Sequence, residues 1–142
     1  MENSNIQQIE NEILEEFELF NDWTDKYEYI IELGKKLPLI DPEFKIDENK
    51  VQGCQSQVWL KADIKNGRIF YKADSDAIIT KGLISLLIRV LSNQRPGDIL
   101  NARLDFIEKI GLKEHLSPTR ANGLTSMIIH MKSIAQFELA KN

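Results

Sequence analysis

Cys54 is the residue of this chain whose type and surroundings are best suited to covalent chemistry. It lies in the segment Val-Gln-Gly-Cys-Gln-Ser-Gln at positions 51–57. The preceding Gly53 allows an unusual backbone and a close approach by another group, and the neighbours are amides and a hydroxyl. Cysteines that serve only packing usually lie among apolar neighbours within a helix or strand. The segment favours a presented thiol, with a small buried core residue as the alternative.

A solitary thiol restricts the chemistry available to the chain. Cys54 is the single cysteine among 142 residues, which excludes an intramolecular disulfide and any all-cysteine zinc or iron-sulfur site. Three roles remain for a reactive Cys54. It would be a nucleophile toward an acyl or similar substrate, a peroxide-sensing thiol, or a sulfur that accepts a second sulfur and passes it on.

The two histidines, His115 and His130, are the candidates for a base or a metal ligand. Acyl chemistry at Cys54 needs a nearby base, but neither histidine is linked to the cysteine by sequence spacing. The spacing of the three residues also matches no known metal-ligand pattern, so we expect no metal site. We interpret both histidines as surface or boundary residues.

Two further polar features lie at the starts of predicted helices. The triplet Asp74, Ser75 and Asp76 comes before a long apolar segment, where capping of the helix N-terminus explains the carboxylates without catalysis. Arg120 lies in the first turn of the last predicted helix, where a cation opposes the helix dipole. An anion or a partner's carboxylate would explain Arg120, and so would an arginine exposed to water.

The N-terminal third of the chain predicts two helices and a loop. Apolar residues recur at three- and four-residue steps from Ile6 to Phe20, and the intervening glutamates indicate a solvated helix face. Asp22 or Thr24 is expected to cap a second helix that runs through Leu37. Residues 38–51 have no sustained period and predict a loop whose length favours mobility.

The middle of the chain predicts a β-hairpin. Apolar residues alternate over positions 58–64 and again over 69–73, and Asn66-Gly67 between them suits a type I′ turn. Trp59 falls on the face opposite Val58. We therefore expect both faces to be covered, one by helices and the other by a loop or a partner.

The remainder of the chain predicts helices. A broad apolar stripe over residues 78–91 indicates the core helix, capped by Ser75 or Asp74. One or two short helices are expected between residues 98 and 111, and Ser117-Pro118 is typical of the start of a final helix. The expected fold is α+β, a single domain over residues 1–142 with helices packed on one face of a small antiparallel sheet.

Composition excludes several classes of partner. The formal net charge of −4 lacks the surplus of cations that binding to a nucleic-acid backbone requires. We find no signal-peptide pattern in the first residues and no apolar window long enough for a membrane span. These features predict a cytoplasmic protein that binds neither nucleic acid nor membrane.

Four sequence blocks closely resemble the SufE family of sulfur-acceptor proteins, in the family's order and over most of the chain. The Gly-Cys-Gln-Ser-Gln-Val-Trp block is the most specific of them. The blocks are Tyr27–Gly34 with Leu37-Pro38, Val51–Trp59, Asp74–Ala77 with Lys81–Leu83, and Ser117–Arg120 with Asn122–Leu124.

The resemblance implies that Cys54 is a sulfur carrier and not the active site of an enzyme. Cys54 would accept sulfur from the persulfide of a SufS-type, pyridoxal-phosphate-dependent cysteine desulfurase and stimulate that enzyme. It would then deliver the sulfur to the SufBCD scaffold for iron-sulfur cluster assembly. The carrier itself would need no cofactor and no metal, since transfer is attack by one thiolate on the donor's terminal sulfur.

The resemblance also assigns a fold and supporting residues. The family fold is similar to that of the IscU-type scaffolds, which carry several cysteines where this chain has one. The cysteine loop, residues 52–57, is expected to rest over an apolar cavity and to move outward, with Gly53 as a pivot. Gln55 and Asp76 would support the loop, and Arg120 would help to engage the desulfurase.

Other functions remain open at this stage. One alternative is that Cys54 accepts sulfur in a different desulfurase pathway. Another is that Cys54 is the nucleophile of a thiol hydrolase or peroxidase. An interaction domain with an inert cysteine is a further alternative. The sequence leaves open whether the free protein is a monomer or a homodimer.

Overall fold

The computed structural model describes residues 5–141 and shows an α+β fold. Two strands form one antiparallel hairpin, and the remaining regular elements are helical. The elements are α1 Ile6–Phe17, α2 Trp23–Gly34, two 3-10 turns at Pro42–Phe44 and Asp47–Asn49, β1 Val58–Lys65, β2 Arg68–Ser75, α3 Ile78–Leu91, α4 Pro96–Asn101, α5 Phe106–Ile110, α6 Leu112–His115 and α7 Pro118–Ala140. The predicted fold class is confirmed.

The hairpin forms as its alternation and turn residues predict. Its register runs without a bulge from the pair Val58 and Ser75 to the pair Lys65 and Arg68. Asn66 has φ 52° and Gly67 has φ 76°, the two positive φ angles that a type I′ turn requires. The turn therefore determines which side chains of β1 and β2 point toward the helices.

The core lies between one face of the hairpin and the helices α3 and α7. Ile69, Tyr71 and Ala73 of β2 are buried, and α3 is buried along most of its length. The Tyr71 hydroxyl donates a 2.8 Å hydrogen bond to the carbonyl oxygen of Met131, which ties β2 to α7. The prediction that α3 is the core helix is confirmed.

Helices α2 and α3 approach each other at two glycines. A Cβ atom added to Gly82 would lie 2.2 Å from the carbonyl oxygen of Ile30. A Cβ atom on Gly34 would lie 2.8 Å from the backbone nitrogen of Gly82. Only residues without a side chain permit this contact, which holds the C-terminal end of α2 against the N-terminal half of α3.

The loop over residues 38–51 is fastened at both ends to the hairpin. Ala73 of β2 donates its N–H to Pro38 and accepts one from Ile40, at 3.0 and 3.1 Å. At the other edge Val51 donates its N–H to Val58 at 2.8 Å. The loop crosses the second face of the hairpin, where Lys45 lies 5.4 Å from the centre of the Trp59 ring. That face is therefore covered by a loop, one of the two expected covers.

Several helix boundaries differ from the prediction. Asp22 caps α2, accepting a 2.9 Å bond from the N–H of Asp25, but this helix ends at Gly34 and not at Leu37. Helix α1 likewise ends at Phe17 and not at Phe20. In both, the apolar spacing continues past the last helical residue, since periodicity locates helix ends less precisely than it locates helices.

The predicted cap of α3 is wrong. The residue preceding this helix is Ala77, which has no side chain able to cap it, whereas Asp74 and Ser75 are the last residues of β2. Pairing of Ser75 with Val58 keeps both residues extended, and their side chains bond locally. The Ser75 hydroxyl accepts the N–H of Ala77 at 3.2 Å, and Asp74 accepts the N–H of Ser75 at 2.8 Å.

The final helix begins where the sequence predicts. The Ser117 hydroxyl accepts a 3.2 Å hydrogen bond from the N–H of Arg120, and Pro118 is the first helical residue. Before it, Gly111 ends α5 with φ 95°, and a further short helix, α6, follows that the sequence did not predict. Over residues 5–141, no helix combines the length and hydrophobicity that crossing a bilayer requires.

Candidate functional site

Cys54 lies where the cysteine loop rests on α7. Its side chain is half-buried, and its thiol donates to the carbonyl oxygen of Gly123 across 3.6 Å. Gly123 belongs to the second turn of α7, and a Cβ atom there would lie 3.7 Å from the Cys54 sulfur. That distance is an ordinary van der Waals contact, so the thiol packs directly against α7 at Gly123.

Gly53 gives the cysteine loop the backbone it needs at this contact. Its φ angle is 91°, in the left-handed region that side chains disfavour. A Cβ atom on Gly53 would lie 2.4 Å from the Ser126 hydroxyl oxygen. Both the backbone conformation and the space beside α7 therefore require glycine immediately before Cys54.

Asp76 fastens the other end of the cysteine loop. Its carboxylate accepts a 3.0 Å hydrogen bond from the N–H of Gln57, and its own N–H donates to the Gln57 carbonyl at 3.2 Å. Asp76 is exposed and lies between β2 and α3. The sequence places it with two capping residues, but in the structure it bridges the hairpin and the loop.

A cavity of about 410 Å³ opens beside the thiol, between the N-terminal ends of α3 and α7. Its apolar wall consists of Leu83 and Met127, and hydroxyl and amide groups make up much of the rest. The lining residues are Cys54, Gln55, Ser56, Thr80, Leu83, Ser117, Thr119, Arg120, Gly123 and Met127. Gln55 is exposed at the rim, so the cavity is continuous with the surface.

Arg120 places a cation at the edge of this cavity. Its guanidinium donates a 2.7 Å hydrogen bond to the Tyr27 hydroxyl and lies 5.9 Å from the centre of that ring. The side chain is exposed, and within residues 5–141 no carboxylate pairs with it. Arg120 is thus held by a neutral phenol, and its remaining donors are free for an anion.

The environment of Cys54 favours the protonated thiol. Burial raises the pKa of Cys54, because the thiolate loses hydration. The Gly123 carbonyl also favours the thiol form, because it accepts a hydrogen bond that only a protonated thiol can donate. A reactive thiolate is therefore expected after the loop moves or a partner supplies a new environment.

The histidines lie away from the thiol. His115 stacks on Trp23 at 4.5 Å between ring centres, and His130 is half-buried with its pKa lowered by burial. Neither residue lines the cavity that contains Cys54. Among the described residues, these side chains do not come together as a metal site or as a thiol and base pair.

Lys45 anchors the 38–51 loop, a contact that the sequence did not reveal. Its ammonium contacts the carboxylate of Asp74, which Lys81 also approaches at 3.4 Å. Burial by itself would raise the Asp74 pKa, but the Lys45 hydrogen bond, the Ser75 N–H and the Lys81 charge together lower it. Spacing gives no signal for this contact, because Lys45 lies in a segment without periodicity.

Comparison with known proteins identifies the family. The family model for SufE, an Fe-S metabolism associated domain, matches residues 11–135. The chain belongs to the SufE family. Within this SufE chain the four blocks noted in the sequence lie at or next to one cavity. Cys54, Leu83 and Arg120 from three of the blocks line the cavity. Tyr27 of the remaining block contacts Arg120, and Asp76 contacts the cysteine loop at Gln57.

Relatives of this SufE chain align over most of its length. An uncharacterised SufE-like protein of Rhizobium meliloti is 42% identical over 134 residues, covering 91% of this chain and 96% of the relative. One of Synechocystis is 42% identical over 132 residues, covering 92% and 82%. SufE-like protein 1 of Arabidopsis thaliana, chloroplastic/mitochondrial, is 42% identical over 125 residues, which are 87% of this chain and 34% of that protein.

A solved structure supports the same fold. The solution structure of a hypothetical protein from Thermus thermophilus superimposes with a TM-score of 0.76 at 22% identity. The match covers 93% of this chain and 96% of the other. The α+β architecture is therefore shared at low sequence identity, and SufE membership connects it to iron-sulfur metabolism.

Proposed function

We propose that this protein carries sulfur on Cys54 between a cysteine desulfurase and an iron-sulfur cluster scaffold. The observation that carries the proposal is the position of its sole thiol. In a SufE chain, Cys54 lines a surface cavity together with Arg120, within a loop that Asp76 holds at its C-terminal end. The donor is a SufS-type, pyridoxal-phosphate-dependent desulfurase, and the acceptor is SufBCD.

The transfer requires one sulfur atom from this chain. The Cys54 thiolate attacks the terminal sulfur of the desulfurase persulfide, Enz–S–SH, and a new S–S bond forms. The donor's S–S bond breaks and its cysteine leaves as a thiolate, so that charge, protons and electrons balance. The product is a Cys54 persulfide, and pyridoxal phosphate acts only on the desulfurase.

Movement of the cysteine loop is the step that this chain must supply. In this structure the thiol is half-buried and bonded to the Gly123 carbonyl, which limits the access of a large donor to it. Release needs the loss of that weak bond and of the contacts at Asp76, with Gly53 as the pivot. A partner that binds the outward position of the loop more tightly than the inward one would drive this movement.

Arg120 and Gln55 form the exposed edge that a desulfurase would meet. A guanidinium held by Tyr27, with donors unused, suits a carboxylate on the partner surface. Docking at this edge would stimulate the desulfurase by removing sulfur from its active-site cysteine. We propose that the protein acts in the cytoplasm through protein partners.

Intact-mass measurement with a matched desulfurase tests the proposal. After incubation with the desulfurase and cysteine, the protein should gain the mass of one sulfur atom, and a reductant should remove it. Cys54→Ser should gain nothing and should not stimulate desulfurase turnover. Unchanged turnover with wild type, together with no sulfur adduct, would contradict the carrier function. Turnover of an acyl or peroxide substrate without the desulfurase would indicate a thiol enzyme instead.

A further inference from the structure

The hydroxyl of Thr80 faces the Cys54 cavity without a protein partner. Thr80 lies in the first turn of α3, and only 9% of its surface is exposed. Across residues 5–141 its hydroxyl forms no side-chain hydrogen bond, although it lines the cavity. Among the described residues, Trp59 Nε1 and not the Thr80 hydroxyl is a fully buried polar side-chain atom without a partner, so the hydroxyl oxygen reaches the open space of the cavity.

The position of Thr80 at the start of α3 explains why its hydroxyl makes no hydrogen bond to the helix backbone. A threonine within a helix commonly bonds back to the carbonyl four residues earlier, as Thr125 does with Ala121 at 3.2 Å. For Thr80 that position is Asp76, which precedes the helix, and the back-bond is not made. The hydroxyl is therefore available to a group that occupies the cavity.

The resting thiol does not need Thr80, because its hydrogen already has the Gly123 carbonyl as acceptor. A persulfide places a second sulfur about 2 Å beyond the first, which extends the group farther into the cavity. That terminal sulfur carries the negative charge when the persulfide ionises. It then needs a donor, which a carbonyl oxygen cannot be.

We propose that the Thr80 hydroxyl donates a hydrogen bond to the terminal sulfur of the Cys54 persulfide and retains it in the cavity. This inference rests on the proposed carrier function and adds a residue that holds the cargo. Leu83 and Met127 form the apolar wall beside Thr80, and a hydrogen bond to an anion is stronger than one to a neutral acceptor. Thr119 also lines the cavity but is exposed, so water competes for its hydroxyl.

Thr80→Val and Thr80→Ser form a matched pair for the test. Valine keeps the branched shape and removes the donor, whereas serine keeps the donor. Each variant and wild type is loaded at Cys54 in two ways, chemically with inorganic polysulfide and enzymatically with the desulfurase and cysteine. The decay of the persulfide in a fixed concentration of a small thiol is then followed by intact mass.

For the chemically loaded proteins, we expect the Thr80→Val persulfide to decay about tenfold faster than wild type, the effect of losing one hydrogen bond to a charged group. Thr80→Ser should decay like wild type. The pH at which ionisation of the persulfide slows its decay should also rise in Thr80→Val, because the donor favours the ionised persulfide, which repels an attacking thiolate. Equal decay and equal pH profiles in Thr80→Val and wild type would overturn the inference.

The two loading methods separate this inference from the carrier function. Should the desulfurase load no sulfur onto wild type, the carrier function fails, whereas the decay of chemically loaded protein still decides the role of Thr80. Thermal unfolding of all three proteins controls for stability, since serine and valine both change the packing of α3 slightly. If the persulfide decays faster than wild type in Thr80→Ser as well as in Thr80→Val, the hydroxyl is not what retains it, because serine keeps that group.

Discussion

Asp76 and Gln57 exchange two hydrogen bonds, in which each residue supplies one donor and one acceptor. The Gln57 N–H donates to the Asp76 carboxylate at 3.0 Å, and the Asp76 N–H donates to the Gln57 carbonyl at 3.2 Å. This exchange continues the pairing of β1 and β2 by one position, beyond Val58 and Ser75. It holds the C-terminal end of the cysteine loop next to the start of α3.

Loss of the Asp76 carboxylate should expose the thiol. We expect Asp76→Ala to raise the alkylation rate of Cys54 in the native protein several-fold, since one of the two bonds at the loop end is removed. Unfolding free energy should fall by about 1 kcal/mol, the typical value for one hydrogen bond. Asp76→Asn keeps an acceptor oxygen and serves as the control. Equal alkylation rates in Asp76→Ala and wild type would show that this contact does not hold the loop.

Substitution of Gly53 should disturb the loop more than substitution of an unconstrained glycine. Gly53→Ala places a side chain at φ 91° and a Cβ atom 2.4 Å from the Ser126 hydroxyl. The left-handed backbone alone costs about 1–2 kcal/mol for a residue with a side chain. We expect faster alkylation of Cys54 and lower stability in urea unfolding.

Gly97→Ala is the matched control, because a Cβ atom at Gly97 would meet nothing within 4 Å. It should leave Cys54 reactivity unchanged. Adding Ser126→Ala to Gly53→Ala should recover part of the lost stability by relieving the contact, while the backbone strain remains. If Gly53→Ala behaves like Gly97→Ala in both assays, the loop does not depend on this conformation.

Arg120 is expected to act in binding and not in folding. Arg120→Ala should weaken stimulation of the desulfurase at subsaturating concentration, with little change in melting temperature, because the side chain is exposed. Tyr27→Phe should have a smaller effect in the same direction, since it removes the 2.7 Å bond that orients the guanidinium. The measurement is the turnover rate of the desulfurase at increasing concentrations of wild type or of each variant. Equal stimulation at all concentrations would refute a docking role.

The pH dependence of Cys54 should reflect its burial. Because burial raises the thiol pKa above its ordinary value of 9.0, alkylation in the native protein should reach half its maximum at a pH above that value. The fold favours the neutral thiol. Its contribution to stability is therefore complete below the ordinary pKa and is lost as pH rises through the raised one.

Comparison with Cys54→Ala checks the sign of this effect. The variant lacks the titrating group, so its unfolding free energy should decline less than that of wild type as the solution becomes more alkaline. Urea unfolding at a series of pH values above neutrality measures the difference. A wild-type protein whose stability relative to the variant increases with pH would contradict the direction of the shift.

Local chemistry accounts for the parts of the fold that the sequence predicts. Asn66-Gly67 between two alternating segments specifies the hairpin, and Ser117-Pro118 specifies the start of α7, because both signals act between residues close in the chain. The capping prediction at Asp74 and Ser75 failed because strand pairing with β1, a tertiary contact, kept both residues extended.

The amino-acid sequence by itself determined that one thiol, Cys54, follows a glycine in a polar segment, and its blocks determined membership of the SufE family. Only the tertiary structure decided what surrounds that thiol. Gly123 lies 69 positions away from Cys54 along the chain, and Thr80 comes from a different helix. Packing of the loop, α3 and α7 brings them to one cavity, and such long-range contacts leave no periodic or spacing pattern in a single sequence.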